Sequence, residues 1–317
     1  MSFGQPLLHF TEEVEDAIAE RRPLVALEST LLAHGLPEGR RAEVGRALED
    51  TVRARGAVPA TIALIEGRFH VGLDAEALER VIAGDAKKAS LRDLAVAAVT
   101  GGVWATTVAT TMAVAHRAGI RVFATGGIGG VHRGAGDSFD ESADLTALSR
   151  FPLAVVCAGA KSVLDLPKTM ERLETLGIPV LGYDTDELPA FYHARSGLPV
   201  TARMSSPEAV ARVLAVQRDL GGGGVLVAQP PPADRAQDPA VVDRLIGDAL
   251  SAADAAGVKG REVTPFLLAT LARASGGGVV ETNVALVTQN ADLAARIAAA
   301  DVALDAEAAA SPFTPEA

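Results

Sequence analysis

The stretch LAVVCAGAKSVLDLPKTMERLETLGIPVLGY, residues 153–183, reads as strand, helix and strand. Its first part, 153–160, is an unbroken apolar run with the length and bounded character of a strand buried on both faces. Residues 162–176 then read as a helix closed by Gly177, and 178–183 as the next strand. Two strands joined by a helix within roughly 30 residues make a right-handed crossover unit. This sets the class as α/β, and the expected architecture is three-layer α/β/α with a mixed, mainly parallel central sheet.

Working outward, residues 12–21 read as a helix and 23–27 as a buried strand that ends in Glu28-Ser29-Thr30. A helix over 40–55 ends at Gly56. Residues 61–65 and 68–72 flank Glu66-Gly67, a two-residue hairpin turn, so part of the sheet is antiparallel. Residues 103–118 read as one buried helix, closed by Gly119 and followed by a strand over 121–124. A further strand is expected at 225–228, and helices at 207–219, 240–256, 265–275 and 283–299. No internal repeat is visible. A single domain over 1–300 follows, with the Ala-rich, Pro-containing end, 301–317, as a flexible tail.

The 317 residues are 49% hydrophobic, enough for a large core, and 29 basic side chains face 40 acidic ones for a net charge of -11. That balance argues against nucleic acid as a partner while leaving room for a local basic pocket. The one cysteine, Cys157, lies inside the apolar run, so neither an internal disulfide nor a cysteine zinc site is available. No signal sequence and no run of about 20 uninterrupted apolar residues occurs, which predicts a soluble, cytoplasmic protein with no membrane partner.

Lys161 stands at the end of the buried run. Open α/β sheets bind ligands at that edge, and a lysine partly stripped of water there can lose its proton and attack a carbonyl. A lysine snorkelling from a strand end, or binding phosphate as a point charge, fits the same segment. Glu28 follows a strand in the same way, and two strand ends on one side of a sheet bring such residues to one pocket. Its plainer reading is a loop carboxylate bonding the backbone near Ser29. The acidic cluster DSFDESAD, 137–144, can hold a hard cation such as Mg or Mn through a single carboxylate, or serve as a turn and helix cap. Lys88, the glycine loop with His132 and Arg133, and the threonines Thr106, Thr107, Thr110 and Thr111 are candidates for holding a phosphate. That loop, 125–134, lacks the dinucleotide spacing, which excludes a nicotinamide or flavin cofactor, and none of the six histidines forms the H-E-x-x-H pattern of a zinc hydrolase.

Taken in order, ALEST (26–30), HGLP (34–37), ATTVATTM (105–112), FATGGIGGVHRG (123–134), SADL (142–145), AGAKS (158–162), GYDTDELPAF (182–191) and TPFLL (264–268) resemble the pseudouridine-5'-phosphate glycosidase, or indigoidine synthase A-like, family. The resemblance runs from about residue 10 to about residue 300. It implies reversible cleavage of the C–C glycosidic bond of pseudouridine 5'-phosphate to uracil and ribose 5-phosphate, with a divalent metal, typically Mn2+. By motif, Lys161 would form an imine with C1' of the ring-opened sugar and Glu28 would donate the proton. Asp140 would hold the metal, with Asp144 its nearest competitor. Lys88, Val108, Ser142, Ala143 and Asp144 would line the substrate, and Thr125, His132 and Asn283 would contribute further contacts. A homotrimer is implied as well. Val103-Trp104 and the tail after Asp301 depart from the family pattern.

A C–C bond to a sugar offers no oxygen or nitrogen leaving group to protonate, so the two-carboxylate scheme of ordinary glycosidases does not transfer, whereas a lysine imine supplies an electron sink. Three other readings use the same residues: a class I aldolase-like lyase on another sugar phosphate, a non-catalytic sugar-phosphate binder, and a role in pigment biosynthesis.

Overall fold

A computed structural model describes residues 7–258 and 263–310. Eleven strands form one sheet: β1 (Leu8–Phe10), β2 (Leu24–Glu28), β3 (Val58–Ile65), β4 (Arg68–Val71), β5 (Lys87–Ala89), β6 (Val103–Thr106), β7 (Val122–Ala124), β8 (Ala154–Cys157), β9 (Val180–Tyr183), β10 (Ala202–Met204) and β11 (Val225–Ala228). Their order is β1-β4-β3-β2-β7-β8-β11-β9-β10, and β6 pairs with β3 and β5. Among the described strands, only the β3–β4 and β3–β6 pairings are antiparallel. Residues of β3, β7, β8, β9 and β11 are buried throughout, which is what helices on both faces of a sheet require.

On one face the long helix Gly278–Ala310 packs on β2, β7 and β8 between the helices Arg41–Arg53 and Pro207–Asp219. Helices Val108–Arg117 and Ala143–Arg150 pack against each other, the former also on β2 and β3. The expected mixed, mainly parallel three-layer arrangement is therefore present. The hairpin is present too, with Glu66 at φ 48° and Gly67 at φ 80°, the positive pair that a type I′ turn demands. The crossover from 153 to 183 is parallel, although β11 lies between β8 and β9.

Two expectations need correction. Residues 103–118 are not one helix: β6 comes first, and a helix starts only at Val108. The first half of β3 pairs with β2, which stops at Glu28, and the hydrogen-bonding edge left along Ala63–Leu64–Ile65 is taken by β6. An unpaired buried edge costs more than a local helical preference can return. Trp104 is part of this strand, its indole donating to the Gly101 carbonyl at 2.9 Å with Lys87 5.1 Å above its ring. Nor does the chain fray at Asp301, because the last helix continues to Ala310. Asp301 is 2% exposed and accepts from Arg121 at 2.7 Å and Arg218 at 3.0 Å. The remaining part of the expected tail, 311–317, lies outside the described residues. The three-residue strands β1, β5 and β10 are too short to leave a periodic signal.

Candidate active site

Parallel neighbours β2, β7 and β8 end at the same rim of the sheet. Leu27 pairs with Ala124 and Ala124 with Val156, so the residues just beyond, Glu28 and Thr125, stand side by side, and the chain leaving β8 reaches Lys161 above them. The Lys161 amide donates to Ile128 O at 3.1 Å, which ties this turn to the glycine-rich loop. The fourth member arrives by a different route. Because β6 takes over the β3 edge where β2 ends, and Lys88 of β5 pairs with Ala105 of β6, Lys88 is carried to the same rim.

Glu28 accepts a hydrogen bond from the Thr125 hydroxyl. Burial pushes its carboxyl above the usual carboxylate range, opposed by the Lys161 ammonium, the Thr125 hydroxyl and Lys88, while the negative charge of Asp144 pushes it further up. These influences locate Lys161, Lys88 and Asp144 around one carboxyl group. His132 belongs to the same cluster. Burial holds its imidazole below the ordinary histidine value, Asp140 works against that, and Lys88 and Lys161 reinforce it. Its Nδ1 lies 3.8 Å from Asp140 Oδ2, and its amide donates to the Asp140 carbonyl at 3.0 Å.

The two candidate aspartates differ sharply in how they are used. Asp144 is buried, and its oxygens accept from the backbone amides of Ala109 at 2.9 Å and Gly129 at 2.7 Å. It thereby ties the start of helix Val108–Arg117 to the glycine loop. A Cβ at Gly129 would collide with Ser142 Oγ and Asp144, so glycine is required there by close approach. Ser142 caps its helix, accepting from the Asp144 amide at 3.2 Å, with Ala143 as the first helical residue. Asp140 has only His132 near its carboxylate among the described charged partners, and its side chain is 35% exposed. A magnesium or manganese ion that keeps most of its waters needs one or two such carboxylates, so Asp140 fits that kind of site. Among the described residues no three His, Cys, Asp or Glu side chains gather as a protein-only metal cage.

Val108 is buried as the first residue of its helix, and Thr107 precedes it as N-cap. Of the threonines proposed for phosphate, Thr106, Thr110 and Thr111 are buried and committed. Thr106 Oγ1 donates to Ile62 O at 2.6 Å and accepts from Thr111 Oγ1 at 3.0 Å, and Thr110 Oγ1 donates to Ala89 O at 3.2 Å. With Ser29 Oγ, which donates to the same Ile62 carbonyl at 2.6 Å and accepts from the Thr106 amide at 2.9 Å, they form a hydroxyl ladder that fixes the end of β2. Asn283 sits beside Gly126 with a buried Oδ1 that has no hydrogen-bond partner.

Of two further supports, Asn290 was not singled out from sequence, and Arg133, a phosphate candidate there, serves the backbone instead. Asn290, 1% exposed, donates to Thr125 O at 2.8 Å. A lone amide in the apolar stripe Leu286, Val287, Leu293, Ala294 was the available signal. Arg133 donates to Ser162 O at 3.4 Å and Val163 O at 3.3 Å, bracing the turn after Lys161. A cleft of about 460 Å³ beside that turn is lined by Ser162, Arg133, His193 and Arg195 and does not include Glu28 or Lys161. Cys157 lies beneath the site, its thiol pushed up to about 12 by burial, and it packs rather than reacts.

The sequence profile of indigoidine synthase A-like proteins matches residues 13–300. The chain belongs to this family. Among relatives of this indigoidine synthase A-like chain, the pseudouridine-5'-phosphate glycosidase of Herpetosiphon aurantiacus is 54% identical over 91% of this chain and 96% of its own length. That of Sorangium cellulosum is 52% identical over 92% and 93%. Among solved structures, the prealnumycin C-glycosynthase AlnA, in complex with ribulose 5-phosphate, superposes with a TM-score of 0.89 at 42% identity over 96% of this chain and 99% of its own. An indigoidine synthase A-like protein of Thermotoga maritima gives 0.84 at 32% identity over 92% and 96%. No helix among the described residues is long and apolar enough to cross a membrane.

Proposed function

We propose that this protein cleaves and forms the C–C bond between uracil and C1' of ribose 5-phosphate, as a pseudouridine-5'-phosphate glycosidase acting through an imine on Lys161. The observation that carries this reading is the meeting of the half-buried Glu28 carboxyl, at the end of β2, and Lys161, on the chain leaving β8, at one rim of the sheet. The activity named for relatives at 54% and 52% identity supports the substrate.

Glu28, in its protonated form, which burial favours, gives its proton to the ring oxygen O4' as the C1'–O4' bond opens with the electron pair leaving on oxygen. The N1 lone pair of the uracil ring feeds electrons into C1', the N1 proton passes to the Glu28 carboxylate, and the amine form of Lys161 adds at C1', which returns the pair to the ring. Glu28 delivers that proton to uracil C5 and takes up the one the lysine nitrogen releases. The nitrogen lone pair forms C1'=N as the C1'–C5 bond breaks, the electron pair returns to the ring, and N1 regains a proton from Glu28, releasing uracil. Water hydrolyses the protonated imine to ribose 5-phosphate and the free lysine and returns a proton to Glu28. Thr125 orients Glu28 throughout. Lys88 and the first turn of the helix at Val108 receive the phosphate, since a helix N-terminus and an ammonium both favour an anion. Ser142, Ala143, His132 and Asn283 complete the surroundings, Asn283 with an unspent buried acceptor for the base. Asp140 is the residue to hold a divalent ion, Mn2+ by family expectation, which would supply positive charge through its waters near the sugar phosphate. The homotrimer belongs to the same reading and is checked by light scattering.

Borohydride treatment with ribose 5-phosphate, read by intact mass, tests the mechanism. A sugar-phosphate adduct on the wild type and none on Lys161→Ala is expected, and an adduct of equal yield on Lys161→Ala would overturn it. A second reading is favoured by the C-glycosynthase neighbour: the same imine joined to an aromatic acceptor other than uracil. Adduct formation without turnover of uracil or pseudouridine 5'-phosphate would select it.

A further inference from the structure

Residues 131–141 form a flap. Its base is closed by the bridge between Val131 and Glu141 and by the His132 amide on the Asp140 carbonyl, and Arg172 holds Glu141 at 2.9 Å. Arg133 pins one stem to the carbonyls that directly follow Lys161. The two stem residues facing each other are His132 and Asp140, and His132 lies within the electrostatic reach of Lys88 and Lys161, the two ammonium groups that also act on Glu28. The tip is the short helix Ala135–Ser138, rich in small and polar residues, and then Phe139.

Phe139 is out of place by two criteria. Its side chain is 86% exposed, the most exposed large apolar residue described, on an otherwise polar flap. Its backbone also lies in the left-handed region at φ 54°, where a bulky side chain is strained and glycine or asparagine would cap the turn without cost. The turn therefore does not explain the phenylalanine. The charge cluster around Glu28 offers amines, carboxylates, hydroxyls and one imidazole, and the large ring beside the glycine loop, Phe191, is buried against Gly126, Gly127 and Tyr192, so its surface is already spent on packing. In the synthetic direction the imine also has to be kept from water until the C–C bond has formed.

We infer that Phe139 is the specificity-determining residue for the base: the flap tip turns over the site and lays the Phe139 ring on the uracil face, while the sugar phosphate is held from below. This rests on the function proposed above. Stacking of a base on an aromatic side chain corresponds to roughly a 5- to 150-fold effect on binding.

Steady-state kinetics in the synthetic direction test it with Phe139→Ala, Phe139→Leu and Phe139→Tyr. Phe139→Ala is expected to raise the KM for uracil about tenfold or more, with the KM for ribose 5-phosphate and the yield of borohydride-trapped adduct unchanged. Phe139→Tyr is expected to stay close to wild type and Phe139→Leu to fall between. An equal effect on both substrates, no effect, or a change in oligomeric mass in Phe139→Ala would overturn the assignment, the last placing the ring against another copy of the chain. A Phe139→Trp, Trp104→Phe variant gives a readout independent of turnover. Its emission is expected to shift to the blue on adding uracil with ribose 5-phosphate, and an unmoved spectrum counts against the inference. Loss of turnover and adduct in the wild type would instead count against the proposed function.

Discussion

The Thr125 hydroxyl donates to the Glu28 carboxylate across the seam between two adjacent parallel strands. Thr125 is itself held from behind, its carbonyl accepting from buried Asn290. A carboxyl oriented this way and stripped of water is suited to carry a proton at a fixed point, at a cost to the fold.

That cost is measurable. The folded protein keeps the Glu28 proton at pH values where the unfolded chain, near the ordinary 4.5, has released it, so this group's contribution to stability declines as pH rises through the window above 4.5. Glu28→Gln retains an acceptor for Thr125 and removes the buried charge. Its melting temperature at neutral pH is expected to equal or exceed the wild type's while turnover falls by about 10²-fold or more. Calorimetry together with a uracil assay checks both, and a less stable variant would contradict the electrostatic account.

The metal expectation separates the two aspartates. Asp140→Asn is expected to weaken Mn2+ binding, followed by electron paramagnetic resonance, with little change in melting temperature. Asp144→Asn leaves an amide where two backbone N–H groups need acceptors, and is expected to lose stability as well as activity. Full activity after exhaustive chelation would remove the metal from the scheme.

Asp301 is a buried carboxylate clamped by Arg121 and Arg218, with Asp305 beside them on the same helix. Removing it strands two partly exposed guanidinium groups at the junction of β7 with two helices. Asp301→Ala is expected to destabilise by about 3 kcal/mol in urea unfolding, with kinetics at the distant site unchanged until the protein melts. A value near zero would show that the clamp is fully solvated.

At the β1 edge the rings of His9 and His70 meet at 4.6 Å, edge to face. Burial, with His9 second, lowers His70 from 6.5 to about 4. The unfolded chain then binds a proton that the folded one does not, so this contribution to stability is complete above about pH 6.5 and lost as pH falls toward about 4. Thermal melts over that range are expected to slope downward toward acid in the wild type and less steeply in His70→Phe. Equal slopes would assign the acid sensitivity elsewhere.

What the chain determines on its own is the layout of its buried strands and the residues at their ends. The runs read as strands at 23–27, 61–65, 153–160 and 225–228 are apolar enough to be covered on both faces in any fold they join, so Glu28 at the end of β2, the hairpin and the class were legible, whereas β8 stops at Cys157 and Lys161 stands four residues beyond it. Tertiary structure alone decided four other things. It turned 103–106 into a strand, because the edge of β3 beyond Glu28 needed hydrogen-bonding partners. That strand in turn carried Lys88 to the site, a placement with no local signal. It also spent Asp144 on two distant amides and left Asp140 open, although both lie in one acidic stretch, and it drew the last helix on to Ala310 by burying Asp301. Local apolar pattern fixes which segments are buried; which polar group is consumed by the fold and which is left for chemistry depends on partners far away in the chain.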